Sequence, residues 1–229
     1  MRTDRLRARH PRLRPTPAPA LATAALVVAT CALTGCSPSG GDPDADVTGV
    51  PDDWRTSTAK AWPDSDSFGS SIPVYARDTC LLGDPPNPLD AGPETTDVGF
   101  LTLGDATDPD SYGYDCRFWA PDLYAGSLRL YQAGDAAALD GLVADFVGAS
   151  SSTNTVTHSD QTSHGASVSV TRTAINGEPA GKVEALYVDE DALAAVVLEV
   201  NSLDEKEFGE YTDAAAAEEL MRTLAVANG

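Results

Sequence analysis

Two histidines and an aspartate in one polar stretch are the first residues whose types and spacing could do chemistry. His158, Asp160 and His164 follow the pattern His-x-Asp-x-x-x-His. Imidazole nitrogens and carboxylate oxygens bind zinc and copper, so these three side chains could surround one metal ion. The neighbouring Ser, Thr and Gln residues predict a loop, and solvated loop histidines are commoner than ligands. We keep this metal site as an alternative and expect no cofactor.

An Arg and a Trp two positions apart form the second candidate site. Residues 112–119 have the composition of a strand, in which successive side chains point to opposite faces. One face then carries an apolar set that we expect to be buried: Tyr112, Tyr114, Cys116 and Phe118. Arg117 and Trp119 fall on the other face, where an exposed Trp beside an Arg is a common ligand anchor. The alternative is that Trp119 packs under a helix or loop.

One tetrapeptide matches a catalytic motif. Ser57-Thr58-Ala59-Lys60 has the S-x-x-K pattern of penicillin-recognising enzymes, in which the Lys helps to take the proton of the Ser hydroxyl. The partner motifs S-D-N and K-T-G do not occur in the sequence, nor does the G-x-S-x-G of α/β-hydrolases. We therefore name no catalytic residue and predict a protein that is not an enzyme.

The first 35 residues differ from the rest of the chain. Six arginines between positions 2 and 14 precede an uncharged stretch, 15–35, whose apolar centre runs over 20–33. This is the pattern of a secretion signal. The apolar centre is shorter than the roughly 20 residues that a membrane-spanning helix needs.

Leu33-Thr34-Gly35-Cys36 ends the apolar run and resembles the lipobox of bacterial lipoproteins. The resemblance implies cleavage before Cys36 and a diacylglyceryl group on its sulfur. It also implies a protein anchored by lipid to the extracytoplasmic face of the cell membrane. The alternative is an ordinary secreted protein that is cut near Ala29 or Ala32.

Composition divides the remainder into a tether and a domain. Residues 36–52 are rich in Gly, Pro, Ser and Asp and predict a flexible tether, followed by a domain over 53–229. The first 35 residues contain six Arg and one Asp, so the rest has nine basic and 34 acidic residues, a net charge of −25. Such a field repels nucleic acid, which we exclude as a partner, and anionic lipid headgroups.

Cys80 and Cys116 are the two cysteines that keep a free thiol after cleavage before Cys36 and attachment of lipid to Cys36. Two thiols on the oxidising side of a membrane normally form a disulfide, and we predict this one. A metal pair or a reactive thiol is the alternative, but no His flanks either Cys.

Hydrophobic periodicity gives the elements of the domain. It predicts strands over 98–103, 112–119 and 127–132, then a helix from the N-cap Asp135 to Gly148, then strands over 167–175, 181–188 and 193–200 with a two-residue turn at Asn176-Gly177, and a last helix over 212–226 capped by Thr212 or Asp213. The pattern predicts a single α+β domain with a mostly antiparallel sheet and helices packed on one face.

A second resemblance covers about residues 75–227. Asp-Thr-Cys-Leu-Leu at 78–82, Asp-Cys-Arg-Phe-Trp at 115–119, Gly-Glu-Pro-Ala at 177–180 and an Ala-rich last helix resemble small lipoproteins of high-GC Gram-positive bacteria, mostly of unknown function. Many of those proteins have a second cysteine pair, which this chain lacks. The resemblance implies a PsbP-like sandwich that is used for binding.

These observations lead to one expectation for function and two alternatives. We expect a lipid-anchored protein of the cell envelope with a non-catalytic binding or accessory domain, whose partner is another envelope protein or a small ligand. The first alternative is an envelope enzyme or metal-binding protein that uses His158, Asp160 and His164. The second is a sensor or structural subunit of a membrane complex.

Overall fold

An antiparallel sheet of eight strands lies at the centre of this computed structural model, which describes residues 42–62, 75–76, 79–103, 110–178 and 180–229. The strands are β1 (Tyr75–Ala76), β2 (Glu94–Thr102), β3 (Tyr112–Ala120), β4 (Tyr124–Gln132), β5 (Thr155–Ser163), β6 (Ala166–Ala174), β7 (Gly181–Asp189) and β8 (Ala194–Leu203). Their order is β1-β2-β3-β4-β8-β7-β6-β5. The pairing of β4 with β8 therefore joins two meanders into one sheet.

In the described part of the chain four helices accompany the sheet: α1 (Asp52–Ala61), α2 (Ala136–Val147), α3 (Glu205–Glu210) and α4 (Asp213–Asn228). Short 3-10 turns lie at Pro88–Asp90 and Ile175–Gly177. The carboxylate of Asp135 accepts a hydrogen bond from the Ala138 N–H and so caps α2 as predicted. Of the two residues proposed to cap the last helix, Thr212 does so.

One face of the sheet, here called the closed face, is buried under α1, α3 and α4. Its strands contribute alternate side chains such as Tyr112, Leu128 and Leu198, which share one apolar cluster with Trp54 of α1 and Leu220 of α4. The single α+β domain with a mainly antiparallel sheet is therefore confirmed.

Helix α2 packs on the opposite face. Leu139 of α2 belongs to a second apolar cluster with Leu186 of β7 and Ala195 and Val197 of β8. The expectation that helices share one face thus holds for α1, α3 and α4 and not for α2. Because α2 covers only this part of the opposite face, polar side chains of β3, β4 and β8 lie beside it.

A disulfide joins Cys80 to Cys116 of β3, as predicted, with an S–S distance of 2.00 Å. Both cysteines are buried in the cluster on the closed face. The bond ties the segment before the first 3-10 turn to the middle of the sheet.

The packed domain begins earlier than position 53. Val47 and Val50 are buried in the core, and the Val47 N–H donates to the carbonyl of His164. The last residues of the predicted tether are therefore part of the domain. Cys36 and the other residues that resemble a lipobox lie outside the described residues, and no described helix is both long and apolar enough to cross a membrane.

Two local predictions were wrong. The polar stretch around His158 is not a loop but the edge strand β5, which pairs with β6 over its full length. The turn after β6 is longer than two residues, because Ala174 pairs with Gly181 and a 3-10 turn lies between them.

Candidate functional site

A row of polar side chains crosses the face opposite to the closed face. Asp97 of β2 is the cross-strand partner of Arg117, Arg117 is the partner of Ser127, and Ser127 is the partner of Glu199. Glu199 in turn lies opposite Glu184 of β7. Side chains that are directly opposite on one face lie within contact range, so the register of five strands assembles this row.

Helix α2 leaves part of this row uncovered. A depression of about 520 Å³ lies there, and we call it the open patch. Its lining residues are Thr96, Asp97, Arg117, Phe118, Trp119, Ala125, Gly126, Ser127, Arg129, Glu199 and Asn201. Trp119 is 52% exposed, whereas Phe118 beside it in the chain is buried. The predicted alternation of β3 is therefore confirmed, and Trp119 does not pack under a helix or loop.

A buried carboxylate orients two guanidinium groups at the open patch. Asp115 is 1% exposed and accepts from Nε of Arg117 at 3.1 Å and from Nε of Arg129 at 3.3 Å. Nη1 of Arg129 lies 3.1 Å from Oε2 of Glu199. Burial opposes the charged form of Arg129, but Glu199 and Asp115 together outweigh burial and raise its pKa. Arg129 is therefore a permanent cation held between two carboxylates.

Two neighbouring carboxyl groups differ in their affinity for a proton. Burial raises the pKa of Glu184, and the charge of Glu199 adds to this effect although Lys182 opposes it. Burial would also raise the pKa of Glu199, but Arg129, the Asn201 amide and Lys182 together lower it. Glu199 is thus the ionised acceptor, with Nδ2 of Asn201 2.7 Å from its Oε1.

Ser127 is the one residue of the open patch whose polar side-chain atom is buried without a hydrogen-bond partner in the described part of the chain. The residue is 2% exposed. Because no described residue accepts a hydrogen bond from this hydroxyl, no base among them is positioned to activate it as a nucleophile. An unpaired buried hydroxyl is costly, and a ligand group that reached it would remove that cost.

The metal candidates of β5 hydrogen-bond to the protein instead of to each other. His158 has its Nδ1 2.9 Å from Oγ1 of Thr171 and its Nε2 2.9 Å from the carbonyl of Ala149. Asp160 accepts from the hydroxyl of Ser169.

His164 lies in the turn after β5 and faces α4. Its Nδ1 is 2.9 Å from the carbonyl of Ala45, and its Nε2 is 3.0 Å from the carboxylate of Glu218. Burial would lower the pKa of His164, but the hydrogen bonds to Ala45 and Glu218 raise it. The structure does not bring His158, Asp160 and His164 together, and no group of three metal-binding side chains occurs among the described residues.

The S-x-x-K tetrapeptide lies on α1. Thr58 points inwards, and its Oγ1 is 2.9 Å from the hydroxyl of Tyr112. Lys60 is exposed. The segment therefore positions α1 on the sheet.

The open patch contains Arg117 and Trp119, the two residues predicted to bind a ligand, next to Asp115, Arg129 and Glu199, which the prediction did not include. The missed charges did leave a signal. Arg129 stands in Leu-Arg-Leu and Glu199 in Leu-Glu-Val, each a single charge inside an apolar strand. A charge at such a position needs a buried partner or a ligand.

In comparisons with known proteins, the chain matches no protein-family model, no curated protein and no solved structure.

Proposed function

We propose that this protein is a lipid-anchored binding protein on the extracytoplasmic face of the cell membrane, and that its ligand occupies the open patch. The lipobox residues that end in Cys36 support the anchor. A diacylated cysteine buries two acyl chains, at about 0.8 kcal/mol per methylene group, which is enough for stable attachment.

The observation that carries the binding site is the environment of Trp119. Its indole ring is half exposed beside Arg117, on a surface where ion pairs to Asp115 fix the neighbouring guanidinium groups. Preorganised groups lose little conformational entropy when a ligand arrives. A large exposed aromatic ring among fixed polar groups is the usual composition of a recognition site.

The same geometry favours binding over catalysis. Glu199 forms an ion pair with Arg129, and no base among the described residues hydrogen-bonds to the Ser127 hydroxyl. A nucleophile and its base normally lie within hydrogen-bond reach of each other. The open patch therefore offers fixed donors and acceptors for recognition.

Site-specific photo-crosslinking on intact cells tests this function. A benzophenone amino acid is placed at position 119 in one variant and at position 175 in the control, because Ile175 has a similar exposure, 48% against 52%. We expect an adduct from position 119 and none from position 175. Mass spectrometry of the recovered N-terminal peptide reads the lipid on Cys36 in the same sample.

Each contrary result has a definite meaning. If position 119 gives no adduct, the open patch is not the binding site. Adducts from both positions to the same protein would instead indicate a subunit of a membrane complex, which is the structural alternative. An unmodified Cys36, or an N-terminus at another residue, would overturn the anchor.

A further inference from the structure

We infer that the ligand of the open patch is an uncharged polyhydroxylated molecule, such as an oligosaccharide, that stacks on Trp119. This inference rests on the proposed function, and it assigns the chemical class of the ligand. Four features of the patch carry it: the balance of charge, the aromatic ring, the interleaved polar groups and the unpaired hydroxyl.

Charge at the patch is balanced to within one unit, although the chain is acidic. The lining residues include two carboxylates, Asp97 and Glu199, and two guanidinium groups, Arg117 and Arg129, and the buried carboxylate of Asp115 pairs with both guanidinium groups. The chain as a whole has a net charge of −20. A site for an anion or a cation would carry an excess of the opposite charge, and an anion would also be repelled by the whole protein. Balance favours a neutral ligand.

Trp119 supplies an apolar surface of a suitable shape. The flat face of a sugar ring carries C–H groups that pack against an aromatic face and leave the hydroxyls around the rim free to hydrogen-bond. A half-exposed indole surrounded by charged groups combines these two requirements. The depression, at about 520 Å³, falls within the range of roughly 300 to 1,000 Å³ that is common for small-ligand sites.

Donors and acceptors alternate across the floor of the patch. Arg117 donates, Glu199 accepts, and Arg129 donates from the neighbouring position, each held by an ion pair. A hydroxyl group both donates and accepts, so a series of adjacent hydroxyls matches a surface of alternating donors and acceptors. An apolar ligand would instead displace water from the remaining hydrogen-bonding positions of these groups without replacing it, at a cost.

Ser127 provides an independent sign of a polar ligand. The residue is 2% exposed and lines the patch, and its hydroxyl lacks a hydrogen-bond partner in the described part of the chain. A hydroxyl of the ligand could both donate to it and accept from it. The residue lies between Arg117 and Glu199 in the cross-strand row, so this contact would be at the centre of the site.

The test is calorimetric titration of the detergent-solubilised full chain with neutral tetrasaccharides of glucose, mannose, galactose, arabinose and N-acetylglucosamine. We expect binding that the Trp119→Ala variant weakens by about tenfold or more, as for a central aromatic anchor. The matched Ile175→Ala variant should bind like the parent protein. The affinity should change less than about twofold between roughly 0.05 and 0.5 M NaCl, since no net charge is neutralised.

Ser127→Ala separates recognition from folding. The change should weaken binding by about three- to tenfold, the value of one hydrogen bond, without lowering the free energy of unfolding. A loss of stability without a loss of affinity would assign the hydroxyl a structural role and remove it from the site.

Photo-crosslinking at position 119 distinguishes a wrong ligand class from a wrong proposed function. A carbohydrate adduct supports the inference, whichever tetrasaccharide binds. A polypeptide adduct, with no binding of any tetrasaccharide, overturns the ligand class and leaves the proposed function standing. The absence of both adduct and binding overturns the two together.

Discussion

Replacing Asp115 by Asn should destabilise the protein by about 2 to 3 kcal/mol, which follows from its two arginine partners. Asp115 is 1% exposed and accepts from Arg117 and Arg129. Asn has nearly the same shape but no charge, and its NH₂ group points a donor at one of the two guanidinium groups. The substitution therefore removes the negative charge that pairs with the two guanidinium groups, and it opens no cavity.

The two arginines contribute unequally to this cost. The side chain of Arg129 is 21% exposed, and its charge-assisted bond should be worth about 1.5 to 3 kcal/mol. Arg117 is 47% exposed, so its share should resemble that of a surface ion pair, about 0.5 kcal/mol. Arg129 keeps its ion pair with Glu199. The total loss of stability should therefore be smaller than for a buried charge that has no partner.

Urea unfolding at neutral pH, followed by circular dichroism, measures the difference in free energy. Asp97→Asn is the matched control, since Asp97 lies in the same sheet face, is half buried and forms no ion pair with the described residues. It should cost less than about 0.5 kcal/mol. Equal losses for the two variants, or a loss below about 1 kcal/mol for Asp115→Asn, would refute the reasoning.

Four further predictions concern the disulfide, the contact of His164 with Glu218, and two glycines. Replacing both disulfide cysteines by Ala should lower the free energy of unfolding by about 4 kcal/mol, the entropy of closing that loop, as measured in urea. His164→Gln should cost about 0.5 kcal/mol, because the carboxylate of Glu218 is 57% exposed. The pKa of His164 is raised and the pKa of Glu218 is lowered. The cost is therefore greatest between pH 4.5 and 6.5, the ordinary pKa values of Glu and His, because both groups are charged there in the folded protein. It should decline as pH rises through the pKa of His164, or falls through that of Glu218, in a series of unfolding curves. Gly126→Ala should cost about 1 to 3 kcal/mol in thermal unfolding, because a Cβ would lie 2.5 Å from an aromatic ring and 2.6 Å from a carbonyl oxygen. On α2, Gly141→Ala should stabilise instead, because nothing lies within 4 Å of its added Cβ.

Elements with apolar periodicity were predictable, and β5 shows why others were not. The closed-face side chains of β5 hydrogen-bond to α4: Ser159 donates to Asp213, and Ser163 donates to Glu218. Such contacts replace the apolar packing that produces alternation in a sequence. An edge strand that is polar on both faces therefore resembles a loop.

Helix α1 escaped prediction for a related reason. Only Trp54 and Thr58 are buried within it, and the Thr makes its contact through a hydroxyl. Two inward residues, one of them polar, give no apolar stripe. The cap of α2 and its apolar positions, by contrast, are local signals, and they placed that helix correctly.

Only the residues of the open patch that lie on one strand could be predicted from the sequence. Arg117 and Trp119 share a face of β3, and period-two alternation is enough to pair them. Ser127 and Glu199 join them through the register of β4 and β8, which are far apart in the chain. Register depends on how both meanders bury their apolar faces, so local sequence does not contain it.

The energetics of buried ion pairs support the proposal that the charges of the open patch serve recognition. Buried ion pairs repay their desolvation poorly, and apolar residues of similar volume often give equal or greater stability. In the adjoining part of the same sheet face the residues are apolar, since Leu186, Ala195 and Val197 pack under α2. Asp115, Arg129 and Glu199 occupy equivalent positions beside them and remain charged. Removing one partner is costly because the others stay charged, so the predicted loss for Asp115→Asn contains the penalty of leaving two guanidinium groups without that carboxylate. The fixed directions of its donors and acceptors are what a ligand would use, and apolar packing could not supply them.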